Sequence, residues 1–132
     1  MTMNRKKKKF TLEYPVNCTV ASLYARLSTD EGLEGWFADR VVQDNDQFTF
    51  FWNKSPQEAE MTGRRENQFV RFRWNEEEDP DAYFELTITP HELTGDVALT
   101  VTDFAEPDEY DDAVQMWDNN IKALRRALGC RL

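Results

Sequence analysis

His91 is the sole histidine available for acid–base or metal chemistry, and it falls in the turn Pro90-His91-Glu92, where a solvated loop residue is expected. A zinc site draws its three or four protein ligands from His, Cys and carboxylate side chains. One histidine and two dispersed cysteines, Cys18 and Cys130, have no such spacing, so neither a metal nor a cofactor is expected. Cys18 stands just before a predicted helix, whose N-terminus can lower a thiol pKa, but the sequence names no base to partner it. Without an export signal the two cysteines are expected as reduced thiols. Asp103 shares the phase of Val97, Leu99 and Val101, and could act as an acid inside a cavity. No catalytic residue is assigned.

Charge offers a second kind of chemistry. Glu76, Glu77, Glu78, Asp79 and Asp81 form the densest acidic run. A calcium loop alternates its ligands around a central glycine, and this run has neither feature. A solvated hairpin loop is expected, the alternative being a contact with a basic partner surface. Arg71 and Arg73 alternate with Val70, Phe72 and Trp74, which puts them on the wet face of a sheet. There they would pair with cross-strand carboxylates.

The aromatic set is the strongest signal. Trp36, Phe50, Trp52, Phe72, Trp74, Phe84 and Trp117, together with Ile121, fall on predicted apolar faces. As plain core, each large ring is worth about 3–5 kcal/mol against alanine. As a cavity lining, the same side chains would take an apolar or flat ligand, with few polar groups to orient it. An inward ring looks identical in both cases, so periodicity leaves both readings open.

The 132 residues fit a single domain, 1–132, with residues 1–4 expected to be disordered. A hydrophobic share of 40%, with four Trp and nine Phe, supports a real core and argues against disorder of the whole. Removing the five positive charges of residues 5–9 from a net charge of −9 leaves −14 on the remainder. Such a body repels nucleic acid and anionic membrane, so neither is an expected partner. The Arg5–Lys9 run reads as a solvated strand start that discourages edge pairing. It leads into Phe10-Thr11-Leu12-Glu13-Tyr14 instead of a signal-peptide core, and no segment has the apolar length of a membrane span. A cytoplasmic location is expected.

What would position these groups follows from the periods. Phe10, Leu12 and Tyr14 alternate with polar residues in a first strand ending at Pro15. Thr19 can cap a short helix carrying Val20, Leu23, Tyr24 and Leu27 on one face, and a second helical turn follows Thr29-Asp30 with Leu33, Trp36 and Phe37. From Arg40 the period is two. Turns at Asp44-Asn45-Asp46, Lys54-Ser55-Pro56, Glu66-Asn67 and Pro90–Gly95 divide the stretch into strands with inward Phe48, Phe50 and Trp52, then Ala59, Met61 and Gly63, then Val70, Phe72 and Trp74. Phe84, Leu86 and Ile88 follow, and last Val97, Leu99 and Val101. About seven antiparallel strands with one apolar face each need a cover.

From Asp108 to about Leu128, Tyr110, Ala113, Val114, Trp117, Ile121, Leu124 and Leu128 recur at steps of three and four. That is one stripe of a helix, with acids at its start and Lys122, Arg125 and Arg126 near its end, matching the dipole. At roughly 20 residues it spans about 30 Å and can cross the sheet. Gly129 stops it. The fold class is α+β: a curved antiparallel sheet, two short helices after strand 1, and a long C-terminal helix packed across the sheet.

This order resembles the helix-grip fold of the START-like (Bet v 1-like) superfamily. Two segments are similar to its small bacterial Aha1-type branch, relatives of the activators of Hsp90 ATPase. One is the helix and turn from Leu23-Tyr24-Ala25 through Thr29-Asp30-Glu31 to Leu33 and Trp36-Phe37. The other is the ending from Trp117-Asp118-Asn119-Asn120 to Leu124 and Leu128. The resemblance implies a domain from a superfamily of lipid and small-ligand carriers, cyclases and co-chaperones. The leading expectation is a non-enzymatic domain that binds a hydrophobic small molecule or lipid between sheet and helix. The alternatives are an interaction module that docks a protein partner through its acidic loops, and a cyclase or hydratase using Asp103. Either a monomer or a homodimer is compatible.

Overall fold

A computed structural model of the chain describes residues 6–129. The expectation for residues 1–4 falls outside that range. The elements are β1 (Lys8–Val16), α1 (Val20–Ser28), α2 (Asp30–Leu33), β2 (Arg40–Asp44), β3 (Gln47–Trp52), β4 (Ser55–Arg65), β5 (Phe69–Trp74), β6 (Phe84–Pro90), β7 (Val97–Ala105) and α3 (Tyr110–Leu128). A single 3-10 turn, Pro107–Glu109, leads into α3.

The seven strands form one antiparallel sheet in the order β1-β7-β6-β5-β4-β3-β2. Strands β2 to β7 are joined to their sequence neighbours, because short turns permit only adjacent antiparallel pairing. Asn45, Asn53 and Asn67 take φ of 55, 57 and 62 at the first three hairpins, conformations that Asn tolerates better than most residues. The third strand of this run begins earlier than the sequence suggests: Ser55 and Pro56 already pair with Trp52 and Phe51. The first strand instead pairs with the last, Lys8 opposite Ala105 and Val16 opposite Val97. Consecutive β1 and β2 therefore lie on opposite edges, and the helical pair carries the chain between them.

That pair is built tightly. Thr19 Oγ1 accepts from Ser22 N to cap α1, and Thr29 Oγ1 accepts from Gly32 N at 3.0 Å to cap α2. A Cβ on Gly32 would lie 1.9 Å from the Ala25 carbonyl oxygen, so only glycine lets the two helices approach.

The predicted strand faces are the observed ones. Phe48, Phe50, Ala59, Val70, Phe72, Leu86, Leu99 and Val101 are fully buried. So are Leu23 and Leu27 of α1, Leu33 of α2, and Ile121 and Leu124 of α3. The cover is thus shared between α1–α2 and α3. A nine-residue helix is enough here because Leu23 and Leu27, one turn apart, both point at the sheet.

Three contacts dock α3 beside β1. Phe10 and Tyr110 meet edge-to-face at 5.2 Å, Tyr14 Oη donates to Asp118 at 2.6 Å, and Arg125 donates to the Pro15 carbonyl at 2.6 Å. Gly129 ends the helix with φ of 68. Here one expectation fails: Cys18 is disulfide-bonded, not a reduced thiol, and so is no candidate nucleophile. The reason is tertiary. The end of α3 returns to the end of β1 and to α1: Arg125 donates to the Pro15 carbonyl, and Arg26, in the last turn of α1, donates to the Ala127 carbonyl at 3.0 Å. Cys130 lies outside the described residues.

Candidate functional site

A cavity of about 510 Å³ opens between the sheet and the middle of α3. The sheet supplies Trp52 from the end of β3, Gln57 from β4, Trp74 from the end of β5, Phe84 from the start of β6, and Asp103 from β7. Phe37, in the loop after α2, adds a further ring, and α3 contributes Met116, Trp117, Asn119 and Asn120. The volume lies within the range of about 300–1,000 Å³ in which small-molecule sites fall.

The rings hold one another in place. Phe37 lies 5.7 Å from Trp52 and 5.8 Å from Trp117, and Trp74 lies 6.0 Å from Trp52 and 5.3 Å from Phe84. These spacings suit offset and edge-to-face aromatic contacts. The polar ends are tied off within the protein. Trp52 Nε1 donates to the Phe37 carbonyl at 3.0 Å, which fixes the loop, and Trp117 Nε1 donates to Asp103 Oδ2 at 2.8 Å. Asp103 Oδ1 accepts from the Phe104 amide at 2.7 Å. Burial pushes the Asp103 carboxyl up to about 6, against the opposing pull of those two N–H donors. It is the one titratable side chain among the described residues that line this space.

The structure divides the aromatic set. Trp52, Trp74, Phe84 and Trp117 face the cavity. Trp36, Phe50, Phe72 and Ile121 are buried beneath or beside it and do not line it. Trp36 donates Nε1 to the Arg26 carbonyl at 2.9 Å and sets the loop that carries Phe37. Phe50 packs 4.9 Å from Phe37, and Phe72 packs 5.1 Å from Phe84. They act as a floor under the lining rings. Phe37 was visible in the sequence only as an apolar residue of a helical turn. Asn119 and Asn120 carried a signal not taken up: two weak helix formers side by side in mid-helix, next to an inward Trp.

A second, outer cleft of about 850 Å³ adjoins the first, sharing Gln57 and Trp74 as walls. Among the described residues its lining carries Glu58, Glu76, Glu77, Glu78, Glu106 and Glu109 against one cation, Lys7. The expectation of a solvated acidic loop holds for Glu76, Glu78 and Asp81, which are exposed, and fails for Glu77 and Asp79. Lys7 donates Nζ to Glu77 at 2.6 Å and its amide to Asp79 at 3.0 Å, so part of the basic run clamps the loop instead of standing in solvent. Asp79 is only 6% exposed, and the Asp81 and Lys7 amides hold its carboxyl below the usual range. Arg73 makes no cross-strand ion pair among the described residues. It donates to the carbonyls of Glu77, Asp79 and Ala82, because the loop folds back over its strand. Arg71 behaves as expected, bridging Glu85 at 2.9 Å.

The family model described as a START-like superfamily domain matches residues 3–130. The chain belongs to the START-like superfamily. This START-like chain is similar to BfR322 from Bacteroides fragilis, known from a solution NMR structure, at 42% identity over 96% of this chain and 95% of that one, with a TM-score of 0.67. It is also similar to the Aha1 dimer from Colwellia psychrerythraea, at 15% identity over 92% of this chain and 96% of that one, TM-score 0.75. MLL2253 from Mesorhizobium loti gives 16% identity, coverage of 92% and 97%, and a TM-score of 0.76. At such low identity the last two show a shared fold. Aha1-type proteins are thus among the structural neighbours of this START-like domain. No curated protein matches the chain.

Proposed function

We propose that this START-like domain binds a hydrophobic small molecule or lipid tail in the cavity between the sheet and α3. The observation that carries this reading is the ring-lined space of about 510 Å³ against Trp52, Trp74, Phe84 and Trp117. Apolar walls with few polar groups suit an apolar ligand, which gains about 25 cal/mol per Å² of surface removed from water. Phe37 and Met116 belong to the proposed lining, while Trp36, Phe50, Phe72 and Ile121 support it from behind. The docking alternative through acidic loops is less favoured, since Glu77 and Asp79 are already engaged by Lys7.

The test uses a neutral lipophilic dye such as N-phenyl-1-naphthylamine, followed by its own fluorescence and by quenching of tryptophan emission. The protein should bind the dye at one saturable site. Asn120→Trp, on the partly exposed face of α3, should fill the mouth and abolish binding while leaving the melting temperature within a few degrees. Equal binding by the variant would place the dye elsewhere and overturn the reading.

A further inference from the structure

The walls of the two adjoining spaces differ from a generic apolar pocket in the sign of their charge. Asp103 is the charged group of the inner cavity, and six glutamates line the outer cleft. Among the described residues, the one cation in either lining, Lys7, is engaged with Glu77 at 2.6 Å. Glu76, Glu78, Glu58 and Glu109 are exposed at the mouth. Gln57 and Trp74 belong to both linings, so the two spaces adjoin at these side chains. A low-dielectric wall behind a row of carboxylates concentrates the negative field, which draws cations and excludes anions. Aromatic rings add attraction for an ammonium but none for a carboxylate.

We propose that the ligand is an amphipathic cation, with an apolar body against Trp52, Trp74 and Trp117 and an amine or quaternary ammonium in the glutamate-lined cleft. This rests on the cavity being the binding site, and it narrows the ligand class: fatty acids and other anionic amphiphiles are rejected. Asp103 supports the same selection from within. Its oxygens already accept the Trp117 and Phe104 N–H groups, so it presents charge without needing a direct contact with the ligand.

Three probes of one shape separate the cases: naphthylmethyl-trimethylammonium, naphthylmethanol and naphthylacetate, each titrated calorimetrically into the full chain. At low salt the cation should bind about tenfold more tightly than the alcohol, and naphthylacetate more weakly than either. Raising NaCl to about 0.5 M should shrink the cation's advantage without changing alcohol binding. The triple variant Glu76→Gln, Glu78→Gln, Glu109→Gln alters exposed side chains only, and should cut that advantage severalfold at unchanged alcohol affinity. Equal affinities for cation and alcohol, or a preference for naphthylacetate, would overturn the charge selection and leave the cavity reading standing. If none of the three binds, the cavity reading falls and this inference with it.

Discussion

The Trp117 indole of α3 donates to the Asp103 carboxylate of β7 at 2.8 Å, at the wall of the cavity. One hydrogen bond therefore joins the long helix to the sheet at this wall. Losing it affects both packing and charge. Trp117→Phe keeps most of the ring but removes the N–H, leaving an enclosed carboxylate with one donor fewer. A cost of about 2 kcal/mol is expected, together with a further rise in the Asp103 pKa. Urea denaturation gives the first, and carboxyl NMR titration gives the second. An unchanged Asp103 titration would show that this bond does not hold the charge.

Burial sets a pH dependence of stability through the same group. Its carboxyl titrates near 6 in the fold, against 3.8 in the unfolded chain. Between those values the folded state retains a proton that the unfolded chain has released. The Asp103 contribution thus falls as pH rises from about 4 to about 6, by roughly 3 kcal/mol, and is level above. Lys7 counteracts the upward shift and Glu77 adds to it, so the pair at the loop modulates the window. The difference in unfolding free energy between Asp103→Asn and the native chain should change across that window. A pH-independent difference would refute the assignment.

Packing of α1 on α2 makes a sharper claim. Gly32→Ala would drive a methyl to within 1.9 Å of the Ala25 carbonyl oxygen, a backbone atom that cannot rotate away. About 1–3 kcal/mol of destabilisation is expected from the forced separation. A thermal melt reads it, and a variant melting with the native protein would mean the helices slide freely.

The acidic loop should melt locally. Arg73→Met removes the donors to the Glu77, Asp79 and Ala82 carbonyls, so amide exchange across residues 76–82 should accelerate while the amides of Leu86 and Leu99 remain protected. Acid should do likewise. The Asp79 carboxyl is held low in the fold, so its contribution is present above the ordinary carboxylate range and is lost as pH falls below it. Uniform exchange rates in native and variant proteins would count against this picture.

Much of the fold could be read from alternation alone. Phe48 and Phe50, Phe72, Leu86 and Leu99 lie inward because a strand buries every second residue, and Trp117, Ile121 and Leu124 lie inward because a helix repeats at three and four. Both are local rules. The site was half legible for the same reason: Trp52, Trp74, Phe84 and Trp117 obey a period, but Phe37 sits in a loop with none. Whether an inward ring meets a neighbour or a void depends on the opposite layer, so Phe50 and Trp52 look alike in sequence and differ in place. Arg73 and Asp79 were misread because their partners lie across a loop that folds back, and Cys18 because a disulfide is a tertiary pairing that no local period announces.

The pairing of β1 with β7 also bears on biogenesis. The ribosome releases β1 first and β7 late, yet each strand hydrogen-bonds the other. A nascent chain must therefore leave Phe10, Leu12 and Tyr14 without their β7 partner until residues 97–105 have emerged. Loop closure over such a separation is slow, so the early-made strand stays exposed to aggregation or to helpers during synthesis.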